Sequence, residues 1–322
     1  MKSPRHTLKE VQALLRDRIP EGMVTAEHTT NEHWYRHHPS GLLLPSVTAI
    51  TGMMPAPHLK KWAVTMGIDH LEERLMNGLK LEPGMIIPTE IREAMVLAHD
   101  DIFEDAGDVG TQGHGIIERY LEDWIAAHSA PEDITSYITG EDRRLWAITR
   151  SAQKFCKDYR VIPIAPELLV ANEKDGYAGT LDFLAFVAFP THHSLNSQCQ
   201  HPEIVSGTKN WHKIQCMSCD ARWQYYLTLV DWKTSNDIWK EEYYMQVTAY
   251  WKAFKRMTGL TIPKIVIVRL DKNQEKYEPI EVLNRAGAYR GFLGLKKGYD
   301  YLHAPEDGKV HGFFQKERVP LM

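Results

Sequence analysis

Length, composition and charge already exclude several classes of protein. The 322 residues suffice for one large domain or two small ones, and the content of 43% hydrophobic and 25% charged residues is ordinary for a globular chain. No apolar run approaches the ~20 residues of a membrane span, and residues 1–20 lack the apolar core of a signal peptide, which favours the cytoplasm. A net charge of −4 excludes a globally basic surface, so any groove for nucleic acid must be local.

Residues 1–107 are predicted to form a hairpin followed by a helical region. The predicted elements are helices at Leu8–Arg18, Pro45–Ile50, His58–Leu75 and Thr89–Asp105 and a hairpin at Trp34–Leu44. Ser46 is expected to be the N-cap of the second of these helices. The third helix should expose Lys60 and Lys61 and carry Trp62 in its apolar stripe. This region can therefore form an arch over a nucleic-acid strand, with Trp62 available for base stacking.

A helix predicted from Asp108 carries a histidine and a carboxylate on its apolar side. His114 and Glu118 are one helical turn apart and lie on the same side as Leu121. Neighbouring glycines weaken this helix and indicate that another group approaches closely; they are Gly110, Gly113 and Gly115. His114 is therefore either a metal ligand or a hydrogen-bonded core residue, and the pattern alone leaves both interpretations open.

Two apolar strands carry the most distinctive charges of the chain. Along the strand Leu227–Lys233, Asp231 and Lys233 share one face about 7 Å apart, while Trp232 points to the other face. Asp182 lies near the start of a second apolar strand. If the two strands pair, both carboxylates can converge on one divalent cation such as Mg²⁺, which prefers oxygen ligands. The alternative is an ordinary surface ion pair at a strand end.

The remaining predicted elements form an ordered series up to residue 303, which a tail at 304–322 follows. The helices are Glu141–Tyr159, Glu241–Thr258 and Asn284–Leu302, and the strands are Pro166–Ala171, Gly179–Phe189, Lys264–Leu270 and Tyr277–Val282. Glu167 lies at the start of the first of these strands. Gln246 and Tyr250 form an i, i+4 pair on the helix that follows the strand of Lys233.

Residues 190–224 interrupt this series with a polar segment that contains potential metal ligands. Cys199 and His201 form one close pair, and Cys216 and Cys219 form another after fourteen intervening residues. Two such pairs are typical of structural zinc sites, so we predict a zinc-ribbon-like insert with one tetrahedral Zn²⁺. Three other histidines could replace His201 as the fourth ligand: His192, His193 and His212. The alternative is a polar loop with incidental thiols.

The order and position of these residues resemble the PD-(D/E)xK nuclease superfamily, and most of all its exonuclease branch. The matching segments are Gly110–His114 with Glu118, Gly179–Asp182, Asp231–Lys233 and Gln246–Tyr250. This branch contains the nuclease domains of bacterial recombination helicase–nucleases, the CRISPR-adaptation exonucleases and the mitochondrial genome maintenance exonuclease. The resemblance extends from Asp108 to Leu270, and Leu44–Thr48 and Leu59–Ala63 add a weaker match to the helical N-terminal region of the branch.

The resemblance implies a fold and a set of metal ligands. The implied fold is α/β, with a restriction-endonuclease-like αβββαβ core on a mixed sheet over residues 108–303, a helical N-terminal region and the zinc-ribbon-like insert. The implied ligands of one or two Mg²⁺ or Mn²⁺ ions are His114, Asp182, Asp231 and the Trp232 carbonyl, with Glu118 as a further candidate. Several relatives also hold an iron–sulfur cluster through cysteines beyond the Gln–Tyr motif. Since no cysteine follows Cys219 here, we expect no such cluster.

The resemblance also implies roles in hydrolysis for other residues. Lys233 would orient the attacking water, and Gln246 and Tyr250 would line the site and meet the DNA strand. Glu167 would support the metal ligands or bind a second metal ion. These roles suit phosphodiester hydrolysis, because bound cations and the lysine ammonium stabilise the charge that develops on the attacking and leaving oxygens.

We therefore expect a metal-dependent DNA exonuclease that prefers free single-stranded ends and acts in DNA replication, recombination or repair. It would work in the cytoplasm or, if phage-encoded, in the cytoplasm of the host cell, and a replication or recombination protein is a candidate partner. The expected DNA contacts are Ser46, Lys60, Lys61, Trp62, Lys209, Trp211 and Arg222. Two alternatives stay open: a structure-specific or restriction-like endonuclease, and a catalytically silent, zinc-containing nucleic-acid-binding protein.

Overall fold

Helices and two β-sheets make up the part of the chain that the computed structural model describes. That part comprises residues 6–28, 33–55, 57–82, 84–192, 204–206, 212–216, 218–219, 221–235, 238 and 240–303. The helices are α1 (Leu8–Arg18), α2 (Val47–Thr51), α3 (Pro57–Met76), α4 (Thr89–Leu97), α5 (Asp100–Ala127), α6 (Arg143–Asp158), α7 (Lys240–Thr258) and α8 (Arg285–Leu302), with a 3₁₀ helix at Ile134–Tyr137. None of these described helices is long and apolar enough to cross a membrane.

The strands form one small antiparallel sheet and one large mixed sheet. They are β1 (Val24–His28), β2 (His33–His37), β3 (Leu42–Pro45), β4 (Ile162–Asn172), β5 (Tyr177–His192), β6 (Ile204–Ser206), β7 (Lys213–Cys216), β8 (Arg222–Lys233), β9 (Lys264–Leu270) and β10 (Tyr277–Glu281). The small sheet has the order β1–β2–β3, and the large one has the order β10–β9–β8–β5–β4. Within the large sheet β8 and β9 are parallel, and α7 makes the crossover between them.

Helices cover both faces of the large sheet, and the alternation of side chains on β8 decides which residues meet them. Trp232 points toward α6, where its ring packs edge-on against Phe155 with centroids 5.6 Å apart. The same ring stacks on Phe183 of β5, with centroids 6.0 Å apart. Asp231 and Lys233 point to the opposite face, where the Tyr243 side chain of α7 meets the lysine. The aromatic core on one face therefore holds the strand whose other face carries the charges.

The insert joins the far ends of the two longest strands, β5 and β8. Their antiparallel ladder extends to the pairs Pro190–Trp223 and His192–Arg222, so both strands continue into the segment 190–224 that was predicted to be the insert. β7 then pairs with the first residues of β8, and β6 pairs with β7. From Asp182 to His192 the extended chain covers about 33 Å at ~3.3 Å per residue.

Most predicted helices and strands are confirmed, but the prediction of one continuous helix over Thr89–Asp105 is wrong. α4 ends at Leu97, and α5 begins at Asp100. The imidazole Nδ1 of His99 hydrogen-bonds the Val96 carbonyl at 2.9 Å, and this is the acceptor that residue 100 would use in a continuous helix. The helix expected from Asp108 is thus the later part of α5, which runs unbroken to residue 127.

The chain divides into two compact units: residues 54–113 form one, and residues 1–53 together with 114–322 form the other. The predicted boundary at residue 107 therefore coincides with neither end of the smaller unit. In that unit a Cβ atom on Gly67 would lie 2.8 Å from the carbonyl oxygen of Met95, so α3 and α4 cross where only glycine fits. Residues 54–113 contain eleven acidic and five basic residues, which makes this unit strongly acidic.

Candidate active site

Three carboxylates follow one another across neighbouring strands on one face of the large sheet. The last ladder pair between β5 and β8 is Phe183–Val230, and Asp182 and Asp231 come directly after it. Glu167 of β4 lies between two ladder pairs with β5 and is opposite Asp182. Asp182 therefore has an acidic neighbour on each side. A positive charge among the three carboxylates would reduce their mutual repulsion.

A histidine completes a cluster of potential metal ligands around Asp182. The Nδ1 atom of His114 lies 3.7 Å from Oδ2 of Asp182. One ligand atom each from His114, Glu167 and Asp182 lies within 4.8 Å of the other two. The backbone N–H of Trp232 donates to Oδ2 of Asp182 at 2.8 Å, which fixes the position of that carboxylate. A cation could therefore be held between two strands and α5.

Asp231 lies beside this cluster and has an ion pair but poor hydrogen bonding. Its side chain is fully buried, and Nζ of Lys233 lies 2.8 Å from its Oδ2. Neither oxygen of Asp231 accepts a hydrogen bond of good geometry from any residue in the described part of the chain. A buried carboxylate without such partners is costly, so this site favours a cation that would coordinate the free oxygen positions.

Burial and mutual repulsion change the pKa values of the acidic groups. Burial raises the pKa of Glu167 to about 8, and the nearby charge of Asp182 adds to the effect. Burial also raises the pKa of Asp231 to about 6, although the Lys233 ammonium opposes it. The pKa of Asp182 is raised too, again mainly by burial. Without a cation, Glu167 therefore carries a proton at neutral pH.

The pKa values of the two basic groups of the site, His114 and Lys233, shift in opposite directions. Burial lowers the pKa of His114 to about 4, and the neighbouring Lys233 ammonium lowers it further. His114 is therefore neutral at physiological pH, which is the form that binds metals. Burial disfavours the ammonium of Lys233 as well, but Asp231 and Asp182 outweigh this effect and raise its pKa. Lys233 thus stays charged and serves as a hydrogen-bond donor.

The backbone of Glu167 adopts an uncommon conformation at this site. Its φ angle is +43°, in the left-handed region that non-glycine residues seldom occupy. Such a conformation costs of order 1–3 kcal/mol and persists only where the surrounding structure imposes it. Here the β4–β5 ladder fixes the residues on both sides of Glu167. The register of this ladder sets Glu167 opposite Asp182.

On α7, Gln246 and Tyr250 form the predicted pair and line the same face of the sheet. Nε2 of Gln246 donates to the Tyr250 hydroxyl at 3.1 Å, and both side chains are buried. A Cβ atom on Gly179 would lie only 2.6 Å from Cε1 of Tyr250. Glycine at 179 therefore allows the tyrosine ring to approach β5 closely, next to the carboxylates.

No family model matches the chain, and no curated protein matches it either. Support for a function therefore comes from the geometry of the site.

Two aromatic residues that the sequence pattern did not single out for function also adjoin the site. Tyr35 of the small sheet hydrogen-bonds Thr180 of β5, with 3.1 Å between the two hydroxyl oxygens. The ring centroid of Tyr243 lies 4.9 Å from Nζ of Lys233.

A sequence signal existed for one of these two residues. Tyr243, Gln246 and Tyr250 have the spacing i, i+3, i+7, which places them on one helical stripe. Tyr243 also belongs to the apolar stripe of this helix, and its ring faces the charged end of β8. Nothing in the sequence linked Tyr35 to Thr180, because their contact depends on how the small sheet packs on β5.

The other predicted site residues are spread over the molecule. Glu118 is half-buried and raises the pKa of Glu167, but it is not part of the ligand cluster. Ser46 is buried, and its hydroxyl accepts a hydrogen bond from the N–H of Ala49 at 2.9 Å, so it caps α2. Arg222 is exposed at the start of β8. The predicted contacts Lys209 and Trp211 lie outside the described residues.

The predicted contacts of the arch lie in the unit formed by residues 54–113. Lys60 and Lys61 are exposed, as predicted. Trp62 is half-buried and packs edge-on against His99, with ring centroids 6.1 Å apart.

Within the insert, the structure describes one of the two predicted ligand pairs. Cys216 is buried, and Cys219 is half-buried and packs against the same small cluster. The N–H of Ser218 points to Sγ of Cys216 at 3.4 Å, and the N–H of Cys216 donates to the Ala221 carbonyl at 3.0 Å. These two contacts link Cys216 to Ser218 and to Ala221. Cys199 and His201 lie outside the described residues.

Proposed function

We propose that the protein is a metal-dependent DNA exonuclease with a restriction-endonuclease-like core. The observation that carries the proposal is the convergence of His114, Glu167 and Asp182, with the ion pair of Asp231 and Lys233 beside them, on one face of a mixed sheet. The order α5, β4, β5, β8, α7, β9 agrees with an αβββαβ core, apart from the 3₁₀ helix and α6 before β4 and the short strands β6 and β7 between β5 and β8.

The donor set fits Mg²⁺ or Mn²⁺, one ion or two. Carboxylate oxygens and one neutral imidazole suit these cations, and Asp231 offers buried oxygens that accept no well-formed hydrogen bond from the described residues. His114, Glu167 and Asp182 would hold one ion, with Asp231 as a further ligand. A bound ion would activate water and stabilise charge on the phosphate oxygens.

The protein's own groups would position water and the nucleic-acid strand. The Lys233 ammonium stays protonated, so it would orient the attacking water or a phosphate oxygen by donating hydrogen bonds. Gln246 and Tyr250 would line the side of the site formed by α7. The preference for single-stranded ends stays a proposal taken from the resemblance, as does a role in DNA replication, recombination or repair with a partner protein.

The unit formed by residues 54–113 bears on how a strand could be held. Its excess of acidic residues repels phosphates, so a strand passing there would need the exposed Lys60 and Lys61 and stacking on Trp62. The arch thus stays a prediction that depends on local contacts. The unit as a whole is acidic, so it provides no general positive field that would attract the strand.

We also propose a structural Zn²⁺ in the insert. Two observations support this: Cys216 and Cys219 pack on one small cluster, and the backbone N–H of Ser218 points to Sγ of Cys216. Cys199 and His201 would supply the other two ligands. Metal binding would then contribute much of the folding free energy of this small segment.

A cleavage assay tests the proposed exonuclease. Purified protein with Mg²⁺ or Mn²⁺ should degrade end-labelled linear single-stranded DNA, and EDTA should stop it. Asp182→Asn and Lys233→Ala should each lower the rate by at least a hundredfold without unfolding the protein. Glu173→Gln is the matched control, because Glu173 pairs with Arg256 on the surface.

Two outcomes would decide against the proposal, and a third would change the role of one residue. Cleavage of closed circular single strands as fast as linear ones would identify an endonuclease. Tight DNA binding without metal-dependent cleavage would identify a silent binding protein. Full activity of Lys233→Ala would remove that residue from catalysis.

A further inference from the structure

The ammonium of Lys233 lies between a carboxylate and an aromatic ring. Its Nζ atom is 2.8 Å from Oδ2 of Asp231 and 4.9 Å from the ring centroid of Tyr243. The lysine side chain is only 14% exposed, so water screens these interactions weakly. The Tyr243 hydroxyl donates to Oγ of Ser235 at 3.2 Å. This bond ties the ring to the chain segment that immediately follows the lysine.

An aromatic ring holds an ammonium in a way that a carboxylate does not. The face of the ring attracts positive charge through its quadrupole, and the attraction strengthens when water is excluded. Unlike an acceptor oxygen, the ring needs none of the three N–H donors of the lysine in a directed hydrogen bond. A lysine held in this way keeps donors available for water or a phosphate oxygen. Asp231 alone would draw the ammonium fully into an ion pair.

We propose that Tyr243 is a positioning residue that balances Asp231 and holds the Lys233 ammonium in its working position. This inference rests on the proposed nuclease function, in which Lys233 donates to water or phosphate. Tyr243 is on the first turn of α7, three residues before Gln246, so the same helix would position the lysine and line the site. The Ser235 contact fixes the ring from the strand side.

How tightly the Lys233 ammonium pairs with Asp231 also affects the binding of the cation. When the ring is removed, the ammonium should pair more tightly with Asp231, because that carboxylate is its nearest remaining partner. A divalent cation must then compete with a stronger ion pair for the same oxygens. Loss of the ring should therefore weaken cation binding as well as cleavage, and both effects should require Lys233.

Kinetic measurements on ring variants test the proposal. Tyr243→Leu should lower kcat by roughly tenfold to thirtyfold with little change in KM, and Tyr243→Met should do the same if the leucine variant folds poorly. Tyr243→Phe keeps the ring and should lose no more than about threefold. Tyr244→Leu is the control, because this adjacent tyrosine has no described contact with Lys233 and should leave kcat unchanged.

A double-mutant cycle with Lys233→Ala separates positioning from packing. If Tyr243 acts through the lysine, Tyr243→Leu should cause no further loss of kcat in the Lys233→Ala protein. The same cycle applied to Mn²⁺ binding, measured by calorimetry, should show several-fold weaker binding only when Lys233 is present. Equal effects in both backgrounds would overturn the proposal and leave Tyr243 as a core residue.

A readout without metal keeps this proposal distinct from the proposed nuclease function. Urea unfolding of the metal-free protein should show that Tyr243→Leu and Lys233→Ala are coupled by about threefold or more in the unfolding equilibrium constant. If the two substitutions are coupled in a protein that neither binds Mn²⁺ nor cleaves DNA, the proposed nuclease function is refuted, but the contact between Tyr243 and Lys233 stands. Additive effects in an active enzyme would refute the positioning role alone.

Discussion

Glu167 should release nearly one proton when a divalent cation binds at neutral pH, and Glu167→Gln should abolish that release. Burial and the charge of Asp182 raise the pKa of Glu167 to about 8, so about nine-tenths of the molecules carry this proton at pH 7. A carboxylate must lose its proton to act as a ligand. Deprotonation at pH 7 costs about 1.4 kcal/mol, which weakens the apparent affinity about tenfold.

The sign of the pH dependence follows from the direction of this pKa shift. Since metal binding removes the proton, the apparent affinity for the cation should rise with pH up to about 8 and then level off. In the metal-free protein the folded state holds a proton that an unfolded glutamate, with a pKa near 4.5, would already have lost. The Glu167 contribution to stability should therefore decline as pH rises from about 4.5 to about 8.

Calorimetry can count the protons directly. Mn²⁺ is titrated into the protein at pH 7 in two buffers with different ionisation enthalpies, and the difference in heat gives the protons released. Wild type should release about 0.9 proton more than Glu167→Gln, whose affinity should also vary less between pH 7 and pH 9. Glu173→Gln should behave like wild type, because Glu173 is paired with Arg256 at the surface. Equal proton release from wild type and Glu167→Gln would refute the reasoning.

Three further predictions concern a packing contact, a ligand and the insert. Gly179→Ala should destabilise the protein by about 1–3 kcal/mol in urea unfolding, because its Cβ atom would lie 2.6 Å from Cε1 of Tyr250; unchanged stability would contradict this contact. His114→Ala should yield a folded protein with weak activity that higher Mn²⁺ concentrations partly restore. Normal metal affinity in that protein would instead mean that His114 is a core residue. Elemental analysis should find about one zinc per wild-type chain and less than about a tenth of an equivalent in Cys216→Ser, whose residues 190–224 should become sensitive to proteases. Zinc-free wild type with reactive thiols would leave the insert an ordinary loop.

The elements that sequence patterns predicted well are those with a clear apolar period. α1 and β9 have the bounds expected from their patterns, since apolar residues repeat at the right spacing between clear breaks. The strands β5 and β8 are longer than predicted, because their ladder continues through pairs such as Pro190–Trp223 in a segment with polar composition. At the break before α5 the His99 side chain hydrogen-bonds the Val96 carbonyl, a contact that no periodicity reveals.

The candidate site was predictable where strand alternation controls it. Alternation placed Asp231 and Lys233 on one face, and their strand does pair with that of Asp182, which was the condition for the carboxylates to converge. The left-handed backbone of Glu167 and the ring beside Lys233 could not be predicted, since both depend on tertiary packing. The same limit applies to the carboxylates' pKa values, which burial controls.

The length of β5 and β8 sets a scale for any substrate that reaches the insert. The ~33 Å between Asp182 and the far end of β5 corresponds to about one turn of a B-form duplex. A nucleic acid that spans much less than ~33 Å would not reach from the carboxylates to the far end of β5. If the insert contacts nucleic acid at the end of β5, that contact lies about 33 Å from the carboxylates. Such a contact would then depend on the length of the bound strand, and shortening the strand would remove it without touching the carboxylates.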